Sequence, residues 1–391
     1  MTETRRTRGG LESVPRTRVE KLARGVALAI AFVLAGCAPD RGAAYEKAIA
    51  EARRAINAGR FDVAAERFDE AARTAKVPRD GVYARYEAAL ARARAGDVAR
   101  ASRELRAIAS EDPPNAYSAQ AAFKAADLAY RSDPAAGYAE LEEVALRWPE
   151  SGLAKVALLR LLRHDDEHGA EKTLAHLDAL QPRVAGTRLE QDVAYERAKR
   201  LAALGRVEAA RDAFLDVADR WPYPKGAYFD DALYRASELE EQLGRHREAI
   251  DHLERMLSFR EKAVTLGSYE RPRYVPAVLR IAELYEKRLN DRANARATLH
   301  RLYTDFKTST LRDDALWREA ELWEKDGDKD KACSRLATLT SDFPDSRYVP
   351  CAIERCPSIE RPKKSKAPAT CRAYLNRERS LGAAPPSSST E

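Results

Sequence analysis

One pattern recurs eight times along this 391-residue chain and leaves few folds open to it. A small or polar turn is followed five residues on by a small residue, and four further on by an apolar one. Gly59-Arg60-Phe61 leads to Ala64 and Phe68, and Gly96-Asp97-Val98 to Ala101 and Leu105. Gly205 leads to Ala210 and Phe214, Gly244 to Ala249 and Leu253, and Gly327 to Ala332 and Leu336. Weaker copies centre on Gly137, Ala170 and Ala295, so the eight small positions lie 37, 36, 33, 40, 39, 46 and 37 residues apart. Copy three has Asp133-Pro134 in its turn, copy seven has Asn290-Asp291, and copy four reads as lacking the glycine.

Two stretches of helical period flank each turn. The small residue lets two helices approach closely. The second stretch often ends in an aromatic-proline pair, as in Trp148-Pro149, Trp221-Pro222 and Phe343-Pro344, and proline cannot continue a helix. A lone hairpin buries only one face, so such units must stack. The turn glycine, small residue and terminal proline resemble the tetratricopeptide repeat (TPR) family over about residues 44–346. That resemblance implies an all-α fold, a right-handed α-solenoid of about eight TPR-type helix hairpins, here with a capped C-terminal end. The widest spacing, at Arg260–Arg273, marks an inserted loop.

Ahead of the repeats, Arg5–Arg24 is arginine-rich and Gly25–Leu34 is an apolar run too short to span a bilayer. Basic region, apolar core and small residues together read as a secretory signal. Leu34-Ala35-Gly36-Cys37 resembles the lipobox of bacterial lipoproteins, which implies a diacylglycerol on Cys37 and cleavage before it. Ala38 after the cysteine, by the same resemblance, implies the periplasmic face of the outer membrane. The leader is long, so the start codon is expected downstream of Met1. The expected order is a signal peptide at 1–36, a lipidated tether at 37–43, the solenoid at 44–346, a cysteine-containing cap at 347–379 and a disordered tail at 380–391. Among TPR lipoproteins, a short tether running straight into repeats is distantly similar to the BamD type of β-barrel assembly.

In a first helix, spacings of three, four and three share a face. Copy six gives Asp231, Tyr234, Glu238 and Glu241; copy seven Pro276, Leu279, Glu283 and Glu286; copy eight Asp314, Trp317, Glu321 and Glu324. By resemblance to TPR proteins this face lines a partner-binding groove. It is expected to be acidic, with an apolar anchor per repeat, and to take a basic, partly apolar peptide or helix. Reversing Glu283, Glu286, Glu321 and Glu324 to lysine is expected to abolish binding without unfolding. The alternative reading is a wet helix face rich in good helix formers.

Four cysteines, Cys333, Cys351, Cys356 and Cys371, fall in the last sixty residues, and four allow three disulfide connectivities. Cys333–Cys351 with Cys356–Cys371 is the preferred pairing, a zinc site made by all four thiolates the alternative. Arg361-Pro362-Lys363-Lys364-Ser365-Lys366 forms a basic loop between them. The one candidate for metal chemistry, His164-Asp165-Asp166-Glu167-His168, falls in the turn of copy four without an evident third ligand. No metal, cofactor or catalytic residue is expected. The formal charge of +6 is concentrated at the N-terminus: past residue 36 the chain has 61 basic and 59 acidic residues, which argues against nucleic acid. The sequence therefore points to a non-enzymatic outer-membrane lipoprotein that scaffolds envelope proteins, in barrel assembly or an envelope-spanning complex. The alternative is a peptidoglycan-associated accessory of a cell-wall enzyme.

Overall fold

A computed structural model describes residues 40–259 and 271–372. The signal peptide at 1–36, Cys37 and its tether up to residue 39, residues 260–270 of the inserted loop, the end of the cap from 373 and the tail at 380–391 lie outside the described residues. The chain divides into two compact units, Met1–Leu161 and Leu162–Glu391. Among the described residues there are seventeen α-helices and no strand.

The first unit contains α1 (Ala43–Asn57), α2 (Phe61–Thr74), α3 (Pro78–Ala95), α4 (Val98–Ala109), α5 (Ser118–Ser132), α6 (Pro134–Arg147) and most of α7 (Gly152–Asp166). The second holds the end of α7, then α8 (Ala170–Leu180), α9 (Leu189–Ala203), α10 (Val207–Arg220), α11 (Phe229–Gln242), α12 (His246–Ser258), α13 (Tyr274–Lys287), α14 (Arg292–Asp305), α15 (Arg312–Lys325), α16 (Lys329–Asp342) and α17 (Val349–Arg355). Successive helices pair as eight hairpins, and α17 stands alone after the last.

Turn chemistry explains where the helices stop. Gly96 ends α3 in the left-handed region at φ 98°, which costs glycine no Cβ clash, and Asp97 then caps α4 by accepting from Arg100 N at 3.2 Å. Hairpin seven uses Asn290 at φ 51° instead, and Asp291 caps α14. The small residue is always the fourth of the second helix. Ala64, Ala101, Ala210, Ala249 and Ala295 have no exposed surface and Ala332 almost none. In hairpin three it is Gly137, where a Cβ would stand 2.2 Å from both Cα and N of Tyr130. The helices there touch main chain to main chain.

Copy four corrects the sequence reading. Gly169 does sit in its turn, at φ 107°, and serves as the N-cap of α8. The packed residue is consequently Thr173, fully buried, and not the half-exposed Ala170. Its hydroxyl donates to Asp166 Oδ1 at 2.8 Å, which satisfies a polar group in the seam. With this register the uneven spacings of 33 and 40 become 36 and 37.

In the first unit, Tyr45 and Phe68 are buried with the alanines of α1–α3, and Leu105 and Ile108 with Tyr86. Buried Arg92 joins neighbouring hairpins by pairing with Asp69 and, at 2.6 Å, with Glu104. A larger apolar core runs through α8–α15 in the second unit.

At the C-terminal end, α17 lays Val349, Cys351 and Ala352 on Leu336 and Leu339 of α16. The disulfides are Cys333–Cys356 and Cys351–Cys371, with Cα separations of 5.7 and 4.6 Å. The preferred pairing was thus wrong, and helix direction is the reason. After the turn at 343–348, α17 runs back along α16, so its end, not its start, reaches Cys333. Cys351 lies five residues earlier, ~7 Å along the axis, and meets the returning strand of chain at Cys371.

Candidate functional site

The residues singled out on α11, α13 and α15 do form rows in register within the second unit. One row is Tyr234, Leu279 and Trp317; four residues on come Glu238, Glu283 and Glu321; three further come Glu241, Glu286 and Glu324. The helices position a fourth row that the sequence reading left out, Arg235, Arg280 and Arg318, one residue after the first.

That fourth row changes the electrostatics. Arg280 reaches back to Glu241 of the preceding hairpin, at 2.7 Å from Nε to Oε1, and sideways to Glu283 at 3.2 Å. Lys287 adds a bond to Glu283 at 3.0 Å. Glu286 receives Lys325 at 2.8 Å from the next hairpin. Arg355 of α17 takes Glu324 at 3.0 Å and Glu321 at 3.5 Å. The side chains of Glu241, Glu283 and Glu286 are only 10%, 12% and 14% exposed. The expected acidic face is therefore a ladder of compensated charges linking hairpin to hairpin. Glu241, Glu286, Glu321 and Glu324 tolerate like charges in register because each receives a cation from the element that follows its hairpin, while Glu283 is paired within its own helix.

The aromatic anchors are similarly occupied. Tyr234 is 8% exposed beneath Arg273, whose guanidinium lies 4.6 Å from the ring centre. Trp317 is 3% exposed, under Arg355 at 4.1 Å and stacked on Tyr348 at 4.7 Å. Tyr195, in the same row on α9, stacks on Tyr228 at 4.0 Å and donates its hydroxyl to Asp231. In each case a residue of the following repeat covers the ring, a cation–π or stacking contact that couples repeats. Leu279 differs: it is half-buried, and the position before it on the face is the exposed Pro276.

Among the six glutamates Glu238 stands apart. It makes no hydrogen bond or ion pair among the described residues. Burial raises its pKa above the ordinary carboxylate range, and Arg235 and Arg273 only partly draw it back. Asp231, two turns earlier, is also pushed upward by burial, but bonds from Tyr195 and Arg235 and the charge of Arg273 more than offset this, so its pKa is lowered.

The His164–His168 segment is used structurally. Asp165 turns inward, nearly inaccessible, and bonds His176 Nδ1 at 2.6 Å; Asp166 takes Arg200 at 2.7 Å. The rings of His164 and His168 lie 4.8 Å apart. Among the described residues no group of three or more His, Cys, Asp or Glu is arranged to hold a metal ion. Neither His176 nor Arg200 was visible as a partner from sequence, since both come from later helices.

The tetratricopeptide repeat profile matches residues 277–309 and 314–346, which are hairpins seven and eight. The described residues thus form an α-solenoid of TPR-type hairpins, two of them matched to that family, and TPR repeats generally bind protein partners. No curated protein matches the chain. Solved structures similar to it include PilF of Pseudomonas aeruginosa, 19% identical over 69% of this chain and 96% of that one with a TM-score of 0.30. The quorum sensor NprR of B. thuringiensis in its apo form is 11% identical over 83% and 94%, with a TM-score of 0.36. The TPR2AB domain of yeast Sti1, solved in complex with pHSP90, is 16% identical over 74% and 98%, with a TM-score of 0.27. Likeness at this level carries nothing about partner or role.

Proposed function

We propose that this chain is a non-enzymatic scaffold that holds protein partners at the periplasmic face of the outer membrane, tethered by a lipid on Cys37. The repeats supply the scaffold and the lipobox-like segment the address. Two disulfides in the cap fit an oxidising compartment. The kinship to BamD-type assembly proteins belongs to this proposal, as does a place in an envelope-spanning complex.

The observation that carries the site is Glu238, the half-buried carboxylate of the ladder without a direct partner among the described residues, in a row set that also holds the half-buried Leu279. A basic segment with an apolar side chain would give Glu238 the missing cation and cover Leu279. Such a charge-assisted bond in a partly desolvated place contributes more than one on an open surface. The test is recovery of partners from envelopes in mild detergent, comparing wild type with Glu238→Gln and Glu238→Lys. No ion pair is broken by either change, so fold should persist. Partner recovery should fall by roughly tenfold for the glutamine variant and vanish for lysine. Equal recovery by all three would place the binding face elsewhere.

A further inference from the structure

The cap presents a second surface, built from different chemistry. An open groove of about 560 Å³ runs between α16 and the segment after α17. Its walls carry the exposed hydroxyls of Ser334, Ser341 and Ser358 and the exposed carboxylates of Asp330 and Glu360; Ile359 and the Cys333 side of a disulfide give it an apolar floor. None of these hydroxyls or carboxylates has a side-chain partner among the described residues. Pro362 closes one wall, and the chain continues directly into Lys363, Lys364 and Lys366, all exposed and without an ion pair among the described residues.

The loop that carries these lysines is fixed in place. Arg361 donates to the carbonyls of Ala367 at 2.5 Å and Pro368 at 2.9 Å. Lys366 N donates to Asp345 Oδ1 at 2.6 Å, Ser365 Oγ to the carbonyl of Pro344, and Ala367 is buried. Cys371 is bridged to Cys351 of α17. The backbone that carries the three lysines is thus fixed next to the groove's Pro362 wall, and little backbone freedom is lost when they engage a ligand.

We infer that the cap binds an anionic glycan strand, with sugar hydroxyls in the serine- and carboxylate-lined groove and the strand's acidic substituents on Lys363, Lys364 and Lys366. Hydroxyl and carboxylate side chains exchange hydrogen bonds with sugar hydroxyls, and Ile359 suits the C–H face of a sugar ring. Ammonium groups on a row serve spaced anions. A lipid surface would use the lysines and leave the groove empty. This site is separate from Glu238 and does not depend on the scaffold reading.

The test uses the full chain, purified in detergent, and its cosedimentation with purified peptidoglycan sacculi. One variant is Lys363→Gln/Lys364→Gln/Lys366→Gln. Two others fill the groove and leave the lysines alone, Ser334→Trp and Ser358→Trp, with thermal melting to confirm that each folds. Wild-type protein should sediment, each variant should lose roughly tenfold in affinity, and added salt should weaken the wild type far more than the glutamine variant. Polygalacturonate should displace the protein; neutral dextran and mixed micelles containing phosphatidylglycerol should not. Full binding by the folded tryptophan variants or by the glutamine variant overturns the inference. Equal displacement by the anionic micelles overturns it too, and would make the loop a general polyanion surface.

Discussion

Replacing Gly137 with alanine probes the main-chain helix contact in the first unit. The new Cβ would lie 2.2 Å from Tyr130 Cα and N. Carbon atoms rest at ~3.5–4 Å, so α6 must withdraw from α5 by roughly 1 Å or more. The obstructing atoms are main chain inside a helix, and no rotamer change relieves them. Alanine alone would favour a helix interior by ~0.5–1 kcal/mol over glycine, but overpacking costs ~1–3 kcal/mol and more where the backbone must move. The net expectation is destabilisation by about 2 kcal/mol. Gly81 in α3 is the control: its added Cβ meets only Ala72 O and Ala75 Cβ, both at 3.6 Å, so Gly81→Ala should be neutral or stabilising by up to ~1 kcal/mol. Urea unfolding gives the size of each effect. Hydrogen exchange should locate the Gly137→Ala loss in α5 and α6, since a hairpin in a stack leans mainly on its neighbours. If Gly137→Ala unfolds at the same urea concentration as wild type or higher, the close-approach argument is wrong.

Further expectations concern the ladder, the cap and pH. Converting Glu283, Glu286, Glu321 and Glu324 to lysine should lower the melting temperature of the second unit, because cations would then face Arg280, Lys325 and Arg355; at ~0.5–1 kcal/mol per lost pair the total is a few kcal/mol. Adding Arg355→Glu, whose ladder partners Glu321 and Glu324 are both reversed, should recover part of it, and no recovery would show that the pairs do not couple. Removing Cys333 and Cys356 together, as serines, should cost ~3 kcal/mol and strip exchange protection from α17, while peptide mapping of the native protein should find Cys333 linked to Cys356 and Cys351 to Cys371. Asp231 has a lowered pKa in the fold, so its stabilisation is complete above the ordinary carboxylate range and disappears as pH falls through the lowered value. Asp231→Asn should accordingly be destabilising at pH 7 and converge with wild type in strong acid. Glu238 has the opposite sign: its raised pKa means that its charge opposes folding at neutral pH and that the penalty fades on acidification, so Glu238→Gln should be at least as stable as wild type at pH 7.

The hairpin stack was legible because its signal is local. A turn glycine, a buried small residue and a terminal proline lie within about one repeat, and their chemistry does not depend on distant partners. Copy four shows the limit: Thr173 fits the seam because Asp166 accepts its hydroxyl, whereas a rule that admits only alanine or glycine points to Ala170. The rows of Tyr234, Glu238 and Glu241 could be read from helical spacing, but their electrostatics could not. Arg280 stands 39 residues from Glu241 and Arg355 stands 31 from Glu324, and nothing in a single helix announces which cation a neighbouring repeat will send. The aromatics failed as exposed anchors for the same reason, since Arg273, Arg355, Tyr228 and Tyr348 come from following repeats. The disulfide pairing turned on the direction of α17, which depends on the turn before it and not on cysteine spacing.

Arg280 holds a carboxylate of its own helix and one of the first helix of the preceding hairpin, so its charge belongs to the joint between hairpins and not to either hairpin. Joints of this kind lengthen gradually when strained, whereas a seam of close-packed alanine gives all at once. Coulomb attraction falls off slowly with distance, so this face loses cohesion gradually as it opens, and because its carboxylates are largely shielded from water, dissolved ions weaken it less than they would an open-surface pair. A partner that seats on the ladder therefore meets charges already engaged with one another across the joint between hairpins.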